Sequence, residues 1–365
     1  MKFDRNTIIG FVILAALFFG YFFYTNKEQS KYRKQKAIED SIALSKLPKP
    51  DTALLHKDSM NAVVVNQEVK AGDFKTAVSD SERIVYAGND LLRIAFTTKG
   101  GQPKWVELKN FKGPDSQFVK LAASDFDKIG YTINTGGGNS ASTTDLNFQQ
   151  VDSVKNADKS TTVSFTLLAS DTSGSRITHR YTIRQDNYMI DFDIEMKGAN
   201  HLLEQGLVNL NWQYSAGQQE SDVSFEKSNT QVGYVMDGDF DYHSIGRKSG
   251  KEFSKSVKWL GVRQRFFFTA LVAKSNFTSG KINWEIPPDS EKKILKSTAA
   301  MKLQATAGTT TTIPLSIYYG PSDFHTLKKY NLSFEKLINL GQGMYSFVRP
   351  INRYLIMPVF DLMKK

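Results

Sequence analysis

The stretch YMIDFDIEMK, Tyr188–Lys197, places Tyr188, Ile190, Phe192, Ile194 and Met196 on one side of an extended chain and Asp191, Asp193 and Glu195 on the other. Successive side chains of a strand point to opposite faces, so an apolar/acidic period of two marks a strand with one buried face. Immediately upstream, RITHRYTIR (Arg176–Arg184) repeats the period through Ile177, His179, Tyr181 and Ile183. The DNY between the two runs carries turn chemistry. Together they predict an antiparallel hairpin.

Outward from this hairpin the same period recurs between Ser81 and Gly320. RIVYAG, LLRIAFTT, QPKWVELKNF, TTVSFTLLAS, LVNLNWQYS, QVGYVM, FFFTALVAK, KINWEIP and TTIPLSIYYG all read as strands. Gly, Asn, Asp and Ser separate them, hardly any helical period intervenes, and no internal repeat suggests a propeller. The expected fold class is mainly β, a large antiparallel β-sandwich over residues 81–320.

Past Gly320 the period becomes helical. SDFHTLKKYNLSFEKLINLG offers Ser322 or Asp323 as N-cap and an apolar side made of Phe324, Leu327, Leu332, Phe334, Leu337 and Leu340, ended by Gly341 and Gly343. This predicts a helical segment over 321–343 that packs on the sandwich. The closing stretch 344–365 reads as an amphipathic helix lying in a membrane interface. Phe347, Ile351, Leu355 and Leu362 fall on one side, and Arg349 and Arg353 lie roughly opposite. Two arginines at a bilayer centre would cost about 2.5–3.5 kcal/mol each, and Pro350 and Pro358 interrupt the backbone ladder. At an interface both arginines can reach headgroups.

At the other end, Ile8–Tyr24 is seventeen residues without a charge. As a helix it reaches about 25 Å, and with Thr7 and Thr25 it approaches the ~30 Å hydrocarbon core. Ile8, Phe11, Leu14, Leu17, Phe19, Phe22 and Tyr24 belong to this run, which we read as an uncleaved membrane anchor within residues 1–26. More basic residues follow it than precede it, but large domains translocate largely regardless of charge, so both orientations stay open on this ground. Residues 27–80 are polar, with Tyr32 and Phe74 as their aromatics, and read as a flexible tether.

The formal charge of +10 is concentrated at the ends: residues 1–50 carry nine Lys/Arg against four Asp/Glu, and 321–365 seven against three, leaving the middle near neutral. That distribution suits anionic lipid and argues against a nucleic-acid partner, which would favour a basic face on the folded body. The chain has no cysteine, which excludes disulfides, thiolate metal sites and thiol nucleophiles.

Chemistry-bearing clusters are sparse. None of the five histidines, His56, His179, His201, His243 and His325, has a partner at zinc-ligand spacing. GDFDYH (Gly238–His243) lacks the pattern of a calcium loop and reads as a polar turn. TGGGNSAS from Thr135 is followed by no P-loop lysine. A sugar-processing pair could be formed by His179 with Glu226 or His243, were they to meet in an open cleft. The bland reading, a core histidine at 179, is the stronger one. No catalytic residue, cofactor or metal is expected.

DRNTIIGF (Asp4–Phe11), FTTKGGQPKWVELKNFK (Phe96–Lys112), WLGVRQRFFFTALV (Trp259–Val272), IYYGPSDFHTLKKYN (Ile317–Asn331) and GQGMYSFVRPINRYLIMPVFD (Gly341–Asp361) together resemble the N-terminal two-thirds of the YidC membrane protein insertase family. The resemblance spans essentially the whole chain. It implies a first helix with its N-terminus in the cytoplasm, a periplasmic β-supersandwich without sugar chemistry, and an interfacial helix leading to five membrane-core helices that this sequence does not contain. It also implies a non-enzymatic role in inserting and folding inner-membrane proteins, alone or with the Sec translocon, whose accessory subunits would meet the segment Phe324–Leu340. The expected partners are membrane lipid, nascent inner-membrane proteins and the Sec translocon, and the expected location is the bacterial inner membrane, single-pass, with the main domain in the periplasm. On this reading the chain is a truncated or split form that keeps anchoring and partner binding but cannot insert substrates by itself. The rival reading is a stand-alone, membrane-tethered envelope module binding carbohydrate or protein.

Overall fold

The computed structural model describes residues 68–170, 174–306 and 308–338. The anchor Ile8–Tyr24, most of the tether and the interfacial stretch 344–365 lie outside the described residues. Among the described residues no helix is long and apolar enough to cross a membrane.

Three antiparallel sheets form the body. The largest has nine strands in the order β13–β12–β15–β16–β19–β10–β9–β8–β7. Its members are β7 (Gln150–Lys155), β8 (Thr161–Leu168), β9 (Arg176–Ile183), β10 (Met189–Lys197), β12 (Gln231–Met236), β13 (Asp239–Ser244), β15 (Val257–Arg263), β16 (Phe267–Phe277) and β19 (Thr310–Pro321). A six-stranded sheet runs β14 (Gly250–Phe253), β17 (Ser279–Glu285), β18 (Lys293–Gln304), β11 (Leu207–Gly217), β5 (Lys128–Gly136), β6 (Asn139–Ser142). The smallest runs β1 (Ile84–Gly88), β2 (Leu92–Thr97), β3 (Gln102–Lys112), β4 (Phe118–Leu121).

The two smaller sheets lie side by side as one layer against the inner face of the nine-stranded sheet. Tyr131 of β5 reaches His179 of β9, Tyr214 of β11 accepts a hydrogen bond from Thr269 of β16 at 3.0 Å, and Phe96 of β2 packs 4.8 Å from the ring of Tyr181. The hairpin β9–β10 is present with Ile190 opposite Ile183, and its apolar face is the core: Tyr181 stacks on Phe192 at 4.6 Å and an interplanar angle of 3°. The acidic face holds Asp191 and Glu195, met by Lys274 and Arg180 respectively.

Several sequence expectations need correction. The tether was expected to reach residue 80, but Gly72–Phe74 and Thr76–Ser79 are short helical turns, and Ala71, Phe74 and Ala77 are buried. Three apolar residues at helical spacing suffice to dock this end, and polar composition hid them. Likewise, the segment from 321 is not one helix. Asp323 does cap Phe324–Lys328, accepting from the Thr326 N–H at 2.9 Å, but Asn331 and Ser333 take positive φ of 54° and 62° before a separate 3₁₀ turn at Phe334–Leu337. GDFDYH is not a surface turn either. Asp237 and Gly238, with φ of 55° and 84°, make the turn, and Asp239–Ser244 is the edge strand β13. The glycines of TGGGNSAS form the β5–β6 hairpin turn.

The broken segment crosses the outer face of the nine-stranded sheet as a strap. Phe334 stands edge-on to Trp259 at 4.8 Å and to Phe268 at 5.0 Å, and the Trp259 indole N–H donates to the Leu332 carbonyl at 2.6 Å. Gly233 leaves the room under it: a Cβ there would lie 2.6 Å from Leu337 Cδ2. The strap therefore adds a third layer over β12, β15, β16 and β19.

Candidate docking surface

The three residues considered for sugar chemistry do not converge. His179 on β9 and His243 on β13 are six strand spacings apart in one sheet, roughly 29 Å. His179 is fully buried. The Gly101 carbonyl can only accept, so at 2.9 Å it fixes the proton on Nδ1, and Nε2 accepts from the Tyr131 hydroxyl at 2.8 Å. Burial pulls its pKa down to about 4. His243 instead meets the Tyr234 hydroxyl, which donates to Asp241 at 2.8 Å.

Glu226 has a structural task. It sits on the helix Val223–Ser228, whose N-cap Asp222 accepts from the Phe225 N–H at 2.9 Å. Its buried carboxylate accepts from the backbone N–H groups of Gln219 at 3.0 Å and Glu220 at 3.1 Å, and from Gln264 Nε2 at 2.7 Å. Burial raises its pKa despite these donors. The carboxylate thereby shapes the loop Gln218–Ser221. Glu226→Ala would remove the acceptor of two half-buried backbone N–H groups and of the buried Gln264 amide, and is expected to cost about 2 kcal/mol in urea denaturation, with faster proteolysis at Gln218–Ser221.

That loop is one wall of a concavity that runs toward the start of the strap. A groove of about 560 Å³ separates it from Gly113–Lys120, and a second of about 590 Å³ continues past Gly113 and Glu220 to Phe266, Phe267 and Asp323. Phe225 and Phe266 stand exposed at this end. The Arg265 guanidinium lies 4.6 Å from both ring centres and bonds Glu220 at 2.8 Å, which fixes the cluster.

The other end of the groove opens onto the outer face of the four-stranded sheet. Here Tyr86 and Trp105 lie 5.9 Å apart. Arg93 stands 5.5 and 5.8 Å from their ring centres, and Lys120 4.9 Å from that of Trp105. Glu107 lies between the two cations, 4.0 Å from Arg93 and 3.7 Å from Lys120.

Of the residues expected in a partner-contact helix, Leu327, Phe334 and Leu337 are buried beneath the strap and Phe324 is half-buried, while Leu340 lies outside the described residues. Their apolar side faces the body, so a partner meeting the strap meets its outward side, where Lys328 and Lys329 are exposed. The anchor and interfacial residues also lie outside the described residues. Sequence reasoning missed both aromatic clusters. The available signal was the run RFFF at Arg265–Phe268: β16 begins at Phe267 and buries both of its first phenylalanines, which leaves Phe266 in the preceding turn exposed beside Arg265.

The family model for the YidC periplasmic domain matches residues 85–354. The membrane protein insertase YidC of Parabacteroides distasonis is 25% identical over 388 residues, an alignment covering 99% of this chain and 59% of that protein. That of Chlorobaculum tepidum is 26% identical, covering 99% and 61%. The chain thus spans about three fifths of the length of these curated relatives. Among solved structures, a galactose mutarotase-like protein from Lactobacillus casei shares 10% identity over 65% of this chain and 100% of its own, with a TM-score of 0.40. A quadruple mutant of an alpha-N-acetylgalactosaminidase from Bifidobacterium bifidum gives 9%, 70%, 40% and 0.44. The extent of the family match settles the affiliation, and this chain belongs to the family of the YidC periplasmic domain.

Proposed function

We propose that this chain is the anchor, periplasmic body and interfacial lead-in of a membrane protein insertase, and that the body contributes position and docking surface, not chemistry. The observation that carries the reading is the family match over residues 85–354, together with relatives named as membrane protein insertases that align with 99% of the chain. The six strand spacings between His179 and His243, and the structural hydrogen bonds that occupy His179, His243 and Glu226, support a non-catalytic body. Ile8–Tyr24 anchors it with the N-terminus in the cytoplasm, and residues 344–365 lie in the interface. Partner contact with accessory subunits of the Sec translocon uses the outward side of the strap and the groove beside it.

Residues 1–365 contain a single uncharged run that is also apolar almost throughout and long enough to span a bilayer, Ile8–Tyr24, and a lone helix encloses no hydrated path for a polar segment. Expressed by themselves in a strain depleted of its insertase, these residues are expected not to restore growth; rescue would refute the reading. Topology is checked separately. Because the chain has no cysteine, a single cysteine at an exposed site such as Lys329 should react with a membrane-impermeant thiol reagent once the outer membrane is opened, and labelling only after inner-membrane lysis would place the body on the wrong side.

A further inference from the structure

We propose that the outer face of the four-stranded sheet, centred on Trp105, is a contact site for an anionic phospholipid surface. Strand alternation turns Ile94, Val106, Leu108 and Val119 inward to full burial, so what remains outside is a separate, two-dimensional chemistry. That chemistry is aromatic and cationic. Tyr86 is 58% exposed, Phe118 44% and Ile84 39%, three of the eight large hydrophobic residues exposed among the described ones, so the apolar area is gathered rather than scattered.

The charges decide what such a face would meet. Arg93, Lys109, Lys112 and Lys120 on or beside it stand against Glu107 on the face and Glu82, Asp90 and Asp115 at its edges; over residues 82–121 seven Lys/Arg outnumber four Asp/Glu, whereas the chain between its basic ends is close to neutral. Three of these cations rest over aromatic rings: Arg93 and Lys120 at Trp105, and Lys112 over Phe118 at 5.7 Å. An exposed cation over a ring is weakly held, and it can swing to a phosphate while the ring settles at headgroup level. Tryptophan and tyrosine flanked by Arg and Lys are the composition of a membrane interface, and here they are spread over adjacent strands of one sheet face. The vicinity of a bilayer rests on the anchored reading above, but the lipid chemistry does not.

Trp105 also supplies the test, because Trp212, Trp259 and Trp284 are at most 4% exposed and Trp105 is the tryptophan at the surface. The full chain would be reconstituted into vesicles of phosphatidylglycerol brominated in the upper acyl chain, with vesicle flotation reporting the anchor independently. Tryptophan fluorescence of floated chain should be quenched. The quenching should vanish in Trp105→Phe, fall in phosphatidylcholine and at high salt, and drop in the double variant Arg93→Gln, Lys120→Gln, which avoids placing further carboxylates beside Glu107 and whose contact equilibrium should weaken ~30-fold with little change in melting temperature. Quenching that persists in Trp105→Phe or is equal in phosphatidylcholine would overturn the proposal. Absence of quenching in chain that floats would do the same while leaving the anchor intact, and a chain that fails to float would count against the anchored reading instead.

Discussion

Trp259→Ala is expected to lower the stability of the body by about 3–5 kcal/mol, the range for truncating a fully buried tryptophan. The indole is the floor on which the strap rests. It meets Phe334, Phe268 and Phe240, and its N–H holds the Leu332 carbonyl. Truncation opens a cavity against the sheet and removes that tether, so the strap should loosen before the sheets do. Urea unfolding followed by near-UV circular dichroism would give the total, and limited proteolysis between Leu332 and Ile338 would give the local part. Trp259→Phe, which keeps an aromatic floor but loses the donor, should fall between wild type and alanine. If the alanine variant unfolds within 1 kcal/mol of wild type, the strap is not held as described.

The second large effect is a pH dependence. His179 is buried in its neutral form, and its pKa of about 4 lies below the ordinary 6.5 of an unfolded chain. Between these values the unfolded state binds a proton that the folded state does not, so stability falls as pH drops from about 6.5 toward 4, and the loss ends once both states are protonated. A gap of that size corresponds to about 3 kcal/mol at one site. Denaturation midpoints measured at pH 7.5, 6, 5 and 4 should show this slope in wild type and a shallower one in His179→Gln. An identical slope in the variant would mean that other groups carry the acid sensitivity. Tyr131→Phe removes the donor to Nε2 without adding charge, and should cost stability at neutral pH while reducing the slope little.

Much of this architecture was legible because a half-buried strand advertises itself. Tyr188–Lys197 alternates large apolar residues with carboxylates, and the structure puts its two faces where the alternation says. β18 was not legible: KILKSTAAMKLQ places Ser297 and Ala299 at inward positions, and small inward residues erase the contrast that a period of two depends on. Asp239–Ser244 was misread for a related reason: only Phe240 and Tyr242 mark its apolar side, two positions among Asp, His and Ser, yet the edge strand pairs with β12 over six residues. The strap shows a third limit. Helical periodicity marked Leu327, Phe334 and Leu337 as apolar positions facing one way, which holds, but not the left-handed residues at Asn331 and Ser333 that divide the run. The docking surface was invisible for a deeper reason. Arg93, Trp105 and Lys120 belong to three different strands, and only their register brings a guanidinium, an indole and an ammonium together.

The pairing of β10 with β19 sets an order of events during synthesis. Ile190 lies opposite Ile317, so a strand made early waits for a partner 127 residues later. At about 5–20 residues per second that interval is roughly 6–25 s, during which an apolar ribbon edge stands open to any neighbouring chain. The nascent body therefore has a vulnerable period built into its connectivity, and a holdase present while β11 to β18 are being made would have its greatest effect there.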